Sequence, residues 1–173
     1  MLSGVGTQTR ILIAGVGNVL LGDDGFGVEV ARRLAGIELP PGVRLVETGI
    51  GGIALIHELA DGFDVLVVAD AVDRGRAPGT IMIIDPDIVD VGVLSPLERR
   101  DQLADMHVAT PERVFVLARA LGTLPPRVIM VACQPLDATS PHDGLSQPVA
   151  AAVEAAVDEI LQQVASLVAP RVS

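Results

Sequence analysis

Five short apolar runs, most of them stopped by an acid or a glycine, constrain this chain more than any other feature. They are Arg10–Ala14, Val43–Glu47, Asp64–Ala69, Gly79–Ile84 and Arg127–Ala132. Val65-Leu66-Val67-Val68-Ala69 halts at Asp70, and Ile81 to Ile84 halts at Asp85. None approaches the roughly 20 residues needed to cross a bilayer. Runs of this kind read as strands buried on both faces, the habit of a parallel sheet.

Segments with helical periodicity lie between and after them. Gly25–Ala35 puts Val28, Ala31, Leu34 and Ala35 on one face and stops at Gly36. Ile53–Leu59 carries Leu55, Ile56 and Leu59. Glu112–Leu121 carries Val114, Leu117, Ala118 and Leu121, with Thr110-Pro111 as cap and first-turn pair and Gly122 as its end. Pro148–Val168 presents Val149, Val153, Ala156, Val157, Ile160, Leu161 and Val164, with Ser146 as its cap. Alternating strands and helices predict a three-layer α/β/α sandwich around a mainly parallel, roughly five-stranded sheet. Asp85–Leu103, proline-bearing and weakly periodic, reads as a long connection.

The 173 residues suit one domain with a sizeable core. The expected division is a flexible N-terminus over 1–9, one α/β domain over 10–168 and a tail over 169–173. A net charge of −10, with no Trp, no Tyr and three Phe, argues against nucleic acid, which needs a basic surface and often aromatic platforms. Met1 to Arg10 lacks a secretory apolar core, and the single cysteine, Cys133, forms no internal disulfide. Both features point to the cytoplasm, and Cys133 is expected to be a small buried hydrophobe; no membrane partner is expected.

The candidate chemistry starts at Gly15-Val16-Gly17-Asn18-Val19-Leu20-Leu21-Gly22-Asp23-Asp24-Gly25. A strand, a glycine turn and a helix opening suggest a phosphate cradle. Two aspartates, however, stand where the helix N-terminus would meet an anion. The loop is suited to a cation or a proton. A dinucleotide-binding oxidoreductase is the competing reading: Gly15-Val16-Gly17 follows a strand and Glu47 ends the next one. Against it, Leu20 replaces the third fingerprint glycine and the aspartates repel a pyrophosphate.

In open α/β sheets, ligands bind at the carboxyl ends of the strands. Asp23 and Asp24 fall there after the first strand. Asp70 ends the third, where an unpaired buried carboxylate is costly. His57 lies inside a helix-like segment, whereas His107 and His142 both sit in connections that can reach this rim. Two carboxylates and an imidazole can hold a divalent transition metal such as zinc or nickel, or form an acid/base cluster. The residues alone do not separate His107 from His142. Gly49, Gly51 and Gly52 follow the second strand; they serve either a tight turn or the close approach of an extended peptide.

Taken together, these segments resemble the hydrogenase maturation protease family over roughly residues 10 to 165. The matching blocks are Ile11-Leu12-Ile13-Ala14-Gly15-Val16-Gly17-Asn18 with Leu20, Asp23, Asp24, Gly25 and Gly27, then Val68-Ala69-Asp70-Ala71-Val72 and Pro78-Gly79-Thr80. Pro141-His142-Asp143-Gly144-Leu145-Ser146 completes the set before the last helix. The resemblance implies a phosphorylase/hydrolase-like fold. It also implies an endopeptidase that trims the C-terminal extension of a [NiFe]-hydrogenase large-subunit precursor after nickel insertion. The nickel would be supplied by the substrate, and other divalent metals could substitute for it. A protease that meets its substrate transiently needs no permanent partner, so a monomer is expected.

The family's metal-binding positions fall on Asp24, Asp70 and His107, with Asp24 and Asp70 also as the catalytic pair. Gly49, Gly51 and Gly52 would receive the substrate. The chemistry would come from the metal, polarising a carbonyl or activating water, or from the two carboxylates themselves. A non-catalytic nickel-binding chaperone would use the same ligands without cutting. The chain departs from the family in having Asp24 where some members have glutamate, and Ile50 where a threonine often stands between the glycines. Ala104-Asp105-Met106 replaces a Ser-Pro pair before His107.

Overall fold

The computed structural model describes residues 8–50, 52–93 and 110–169. Its elements are β1 (Ile11–Val16), a 3-10 turn (Gly22–Gly25), α1 (Phe26–Leu34), β2 (Val43–Gly49), α2 (Gly52–Leu59) and β3 (Val65–Ala71). These are followed by β4 (Ile81–Ile84), a short 3-10 turn (Val91–Val93), α3 (Pro111–Ala120), β5 (Arg127–Cys133) and α4 (Gln147–Val168). All five expected strands and four expected helices form.

The strands make one sheet in the order β2-β1-β3-β5-β4. Alternate residues along each central strand divide the core in two. Ile11, Ile13, Val65, Val67, Ile129 and Val131 face Phe26, Val30 and Leu34 of α1 and Val149, Val153 and Ile160 of α4. Leu12, Ala14, Leu66, Val68, Val128 and Met130 face Leu55 and Leu59 of α2 and Val114, Phe115 and Ala118 of α3. The three layers are therefore α1/α4, sheet and α2/α3. Cys133 is fully buried in the first of these cores.

β1, β2, β3 and β5 run parallel, and β4 runs antiparallel to β5, with Ile81 opposite Cys133 and Ile84 opposite Met130. The sheet is thus mixed, and the expectation that Ile81 to Ile84 is buried on both faces is corrected. β4 is an edge strand and Ile83 is exposed. Only residues 72–80 join β3 to β4. A parallel return takes a crossover of a dozen or more residues, so this short link reverses the strand.

The helix starts hold a second correction. Thr110 and Ser146 occupy the N-cap positions with extended backbones and a proline in the first turn, yet neither makes a side-chain cap. The Ser146 hydroxyl instead donates to Asp23.

The chain leaves β1 for β2 on one side and then passes to β3 on the other. This reversal opens a crevice at the carboxyl ends of β1 and β3, the usual ligand position in such sheets. Close packing holds its wall. A Cβ on Gly27 would lie 2.0 Å from the Ala69 carbonyl oxygen and 2.3 Å from that of Val16. One on Gly15 would lie 2.2 Å from the Gly27 oxygen. The paired glycines let α1 sit directly on β1 and β3; that contact, rather than a phosphate, accounts for them.

Candidate functional site

A cleft of about 460 Å³ occupies the β1/β3 crevice, and Asp24, Asp70, Asp73 and Glu112 all line it. Each arrives on a different support. Asp24 stands in the 3-10 turn after β1, Asp70 is the penultimate residue of β3, Asp73 follows β3, and Glu112 opens α3. Gly17, Asn18, Gly49 and Ile50 complete one side.

The adjacent aspartates have separate work. Asp23 is 1% exposed and turned inward. Its Oδ1 accepts the Ser146 amide at 2.6 Å. Its Oδ2 accepts the Leu136 amide at 2.8 Å, the Asp137 amide at 3.2 Å and the Ser146 hydroxyl at 2.9 Å. Burial alone would push this carboxyl up, but the donors of Ser146, Leu136 and Asp137 together bring it below its ordinary value. Asp23 is a clamp between the loop after β1 and the loop after β5. The reading of both aspartates as cation or proton holders is corrected for Asp23.

Asp24 is half-buried and faces the cleft, its Oδ2 accepting the Asn18 amide at 2.8 Å. Burial raises its pKa, and that amide partly offsets the rise. Gly17 makes the arrangement possible: it has φ +141°, and a Cβ there would lie 1.8 Å from the Asp24 carbonyl oxygen.

Asp70 is 5% exposed and paired in register with Ala132 of β5. Burial holds its carboxyl well above the usual range, and the charge of Asp24 adds to this. The Ala71 amide works against the rise, and the charge of Glu112 again favours the proton. No salt bridge among the described residues reaches Asp24 or Asp70. A carboxyl so placed holds a proton or welcomes a cation.

The cleft therefore brings together Asp24, Asp70 and Gly49. Gly52 begins α2 beyond its lining, while Gly51 and His107 lie outside the described residues. His57 is exposed on α2, as its place in the helix suggests. His142 is not part of the cleft lining. Its backbone braces the first loop, donating to the Leu20 oxygen at 3.2 Å and accepting from the Gly22 amide at 3.0 Å. Among the described residues, no three histidine, cysteine or acidic side chains come close enough to hold a metal ion.

Two residues of the site escape sequence reasoning. Glu112 reads as an ordinary first-turn acid at a helix N-terminus, yet α3 aims its start at the cleft. Gln134 is 5% exposed just after β5. Its Oε1 accepts the Arg74 amide at 2.7 Å and the Arg76 amide at 3.1 Å, while its Nε2 donates to Asp73 at 2.9 Å. It fixes the wall that carries Asp73. A buried amide directly after an apolar strand is a signal of the same kind as Asp70.

Fold and cleft define an α/β protein whose switch-point crevice carries carboxylates in place of a phosphate cradle. Residues 28–163 match the hydrogenase maturation protease family. The hydrogenase expression/formation protein HupD of Rhodobacter capsulatus is 32% identical over 155 residues, covering 89% of this chain and 70% of that one. The hydrogenase 2 maturation protease of Escherichia coli is 33% identical over 154 residues, covering 88% of each. The solved structure of the hydrogenase maturating endopeptidase HybD from E. coli superposes with a TM-score of 0.71 at 28% identity, covering 92% of this chain and 94% of that one. The chain belongs to the hydrogenase maturation protease family and is an enzyme of that family.

The dinucleotide reading falls with this membership, and the structure gives its reason. Glu47 does not wait for a ribose: both its carboxylate oxygens are engaged by Arg32 at 3.2 Å. Among the described residues no helix is long and apolar enough to cross a membrane.

Proposed function

We propose that this enzyme removes the C-terminal extension of a [NiFe]-hydrogenase large-subunit precursor after nickel insertion, with the precursor's own nickel as the recognition element. One observation carries the reading. Two carboxylates, one from the turn after β1 and one from the end of β3, line one cleft, and the more buried of them, Asp70, has no cationic partner among the described residues. A metal arriving on the precursor relieves that burial. Asp24, Asp70 and His107 are the residues assigned to receive it, and carboxylate with imidazole is a donor set that suits nickel. Other divalent ions of similar preference would substitute.

Peptide hydrolysis needs a group to take a proton from water and a group to give one to the leaving amine. Asp24, half-buried and open to the cleft, is the base. Asp70, whose pKa is raised by burial, is the acid when no metal is on it; as a metal ligand it would be ionised, and the metal would supply the activated water instead. Two neighbouring carboxylates with separated proton affinities divide such roles. Gly49, Gly51 and Gly52 are the residues assigned to receive the substrate strand. The enzyme works as a monomer in the cytoplasm, where the precursor is assembled, and meets its substrate only transiently.

The test is the intact mass of a cognate large-subunit precursor, nickel-loaded or empty, after incubation with the enzyme. A discrete C-terminal loss confined to the loaded sample is expected. Equal cleavage of both forms would remove nickel from recognition. No cleavage of a correctly assembled precursor would leave only a binding protein.

A further inference from the structure

Ile50 is 63% exposed and lines the cleft that holds Asp24 and Asp70. Single exposed apolar side chains are common on protein surfaces and mean little by themselves. Ile50 differs in its position. Any chain that presents a bond to the two carboxylates enters the cleft beside it. The residue before it, Gly49, has φ +54°, and nothing lies within 4 Å of where its Cβ would stand. The turn is therefore fixed by backbone conformation, and the space over it is open. Ile53, also exposed at 69%, stands in the first turn of α2, three residues further along the chain. Within the cleft, Val16, Leu21 and Val72 supply further apolar lining around the acids. A bare ion has no use for such walls, whereas an extended peptide with aliphatic side chains does.

We infer that Ile50, extended by Ile53, is the shelf that selects an aliphatic side chain of the precursor next to the scissile bond. This rests on the proposed endopeptidase reading and adds a specificity determinant to it. The occupant is the precursor's own chain as it runs into its C-terminal extension. Its backbone passes over Gly49, and one apolar side chain is buried on Ile50. Ile50 touches no reacting atom in this scheme, so it governs substrate capture rather than the chemical step.

The test uses nickel-loaded large-subunit precursor with wild-type enzyme, Ile50→Thr, Ile50→Leu and Ile53→Ser, reading both cleavage kinetics and precursor affinity. Burial of one aliphatic side chain is worth roughly a tenfold change or more in affinity. Ile50→Thr should raise KM by about that factor with kcat within about twofold, the pattern of lost uniform binding. Ile53→Ser should have a smaller effect in the same direction, and Ile50→Leu should restore wild-type behaviour. Replacing the aliphatic residues that flank the precursor's cleavage site with serine should abolish the difference between wild type and Ile50→Thr. Unchanged KM and affinity for Ile50→Thr, with wild-type cleavage intact, overturns this inference and leaves the endopeptidase reading standing. If wild type binds the precursor without cutting it, that reading fails, and a tenfold weaker affinity of Ile50→Thr still supports the shelf. Absence of binding by the wild type overturns both.

Discussion

At the residue scale, the most telling group is Asp70, because it is a stability cost placed where a core residue would serve the fold better. Burial, reinforced by the charges of Asp24 and Glu112, raises its pKa in the folded chain. A raised carboxyl binds a proton in the folded state over a pH range where the unfolded chain has released it. Its favourable contribution is thus complete below the ordinary value of 3.8 and is lost as pH rises through the folded value. Asp70→Asn removes a charge that the interior resists and retains the shape. The expected result is a variant that no longer processes the precursor yet melts at a higher temperature at pH 7. A gain of one kcal/mol corresponds to roughly 2–4 °C in a chain of this size. Near pH 4 that gain should shrink, since the unfolded carboxyl, with its ordinary value of 3.8, is then close to half protonated. Thermal melts at the two pH values check this, and equal melting temperatures at pH 7 would show that the site accommodates the charge at no cost.

At the element scale, the glycines of the first loop answer to packing, and they can be ranked. Gly27→Ala drives a methyl group into the carbonyl oxygens of Ala69 and Val16, at 2.0 and 2.3 Å. Backbone cannot rotate aside as a side chain can, so α1 must lift from the sheet. We expect a loss of about 3 kcal/mol or more, at the upper end of overpacking costs. Gly122, with φ +72° and nothing within 4 Å of its Cβ position, ends α3. Its replacement by alanine should cost only about 1 kcal/mol from the backbone conformation. Urea unfolding of the two variants decides the matter, and similar losses would sink the packing account. The pattern Gly15, Gly17, Gly25, Gly27 was therefore legible as a strand–turn–helix and misleading as a phosphate loop. Apolar runs reveal which segments are strands because burial selects Val, Ile and Leu. They carry no information on direction. The reversal of β4 follows from the shortness of residues 72–80, a signal present in the sequence but different in kind from hydropathy. Asp24 and Asp70 stood out because acids beside buried strands are costly. Glu112 did not, since an acid at a helix start is ordinary and only the docking of α3 makes it a neighbour of Asp70.

At the scale of the whole molecule, one carboxylate joins parts of the chain more than a hundred residues apart. Asp23 follows β1, while its partners Leu136, Asp137 and Ser146 follow β5 and start α4, at sequence separations of 113, 114 and 123. The backbone repeats the junction, with the Asp23 amide donating to the Asp137 oxygen at 3.1 Å. This seam fixes the turn that carries Asp24, so the geometry of the cleft depends on contacts outside it. Asp23→Ala leaves three amides of a part-buried seam without their charged acceptor. The expected loss is about 2–4 kcal/mol, together with faster hydrogen exchange at Leu136, Asp137 and Ser146 and weaker processing. The pH dependence has the opposite sign to that of Asp70. Asp23 is held below its ordinary value, so the stabilisation is present above the unfolded carboxylate value and disappears as pH falls through the folded one. Acidification should release the seam in the wild type, and the stability curves of wild type and Asp23→Ala should converge there. Curves that stay parallel down to acid unfolding would assign the seam to the backbone hydrogen bonds instead, and leave Asp23 as packing alone.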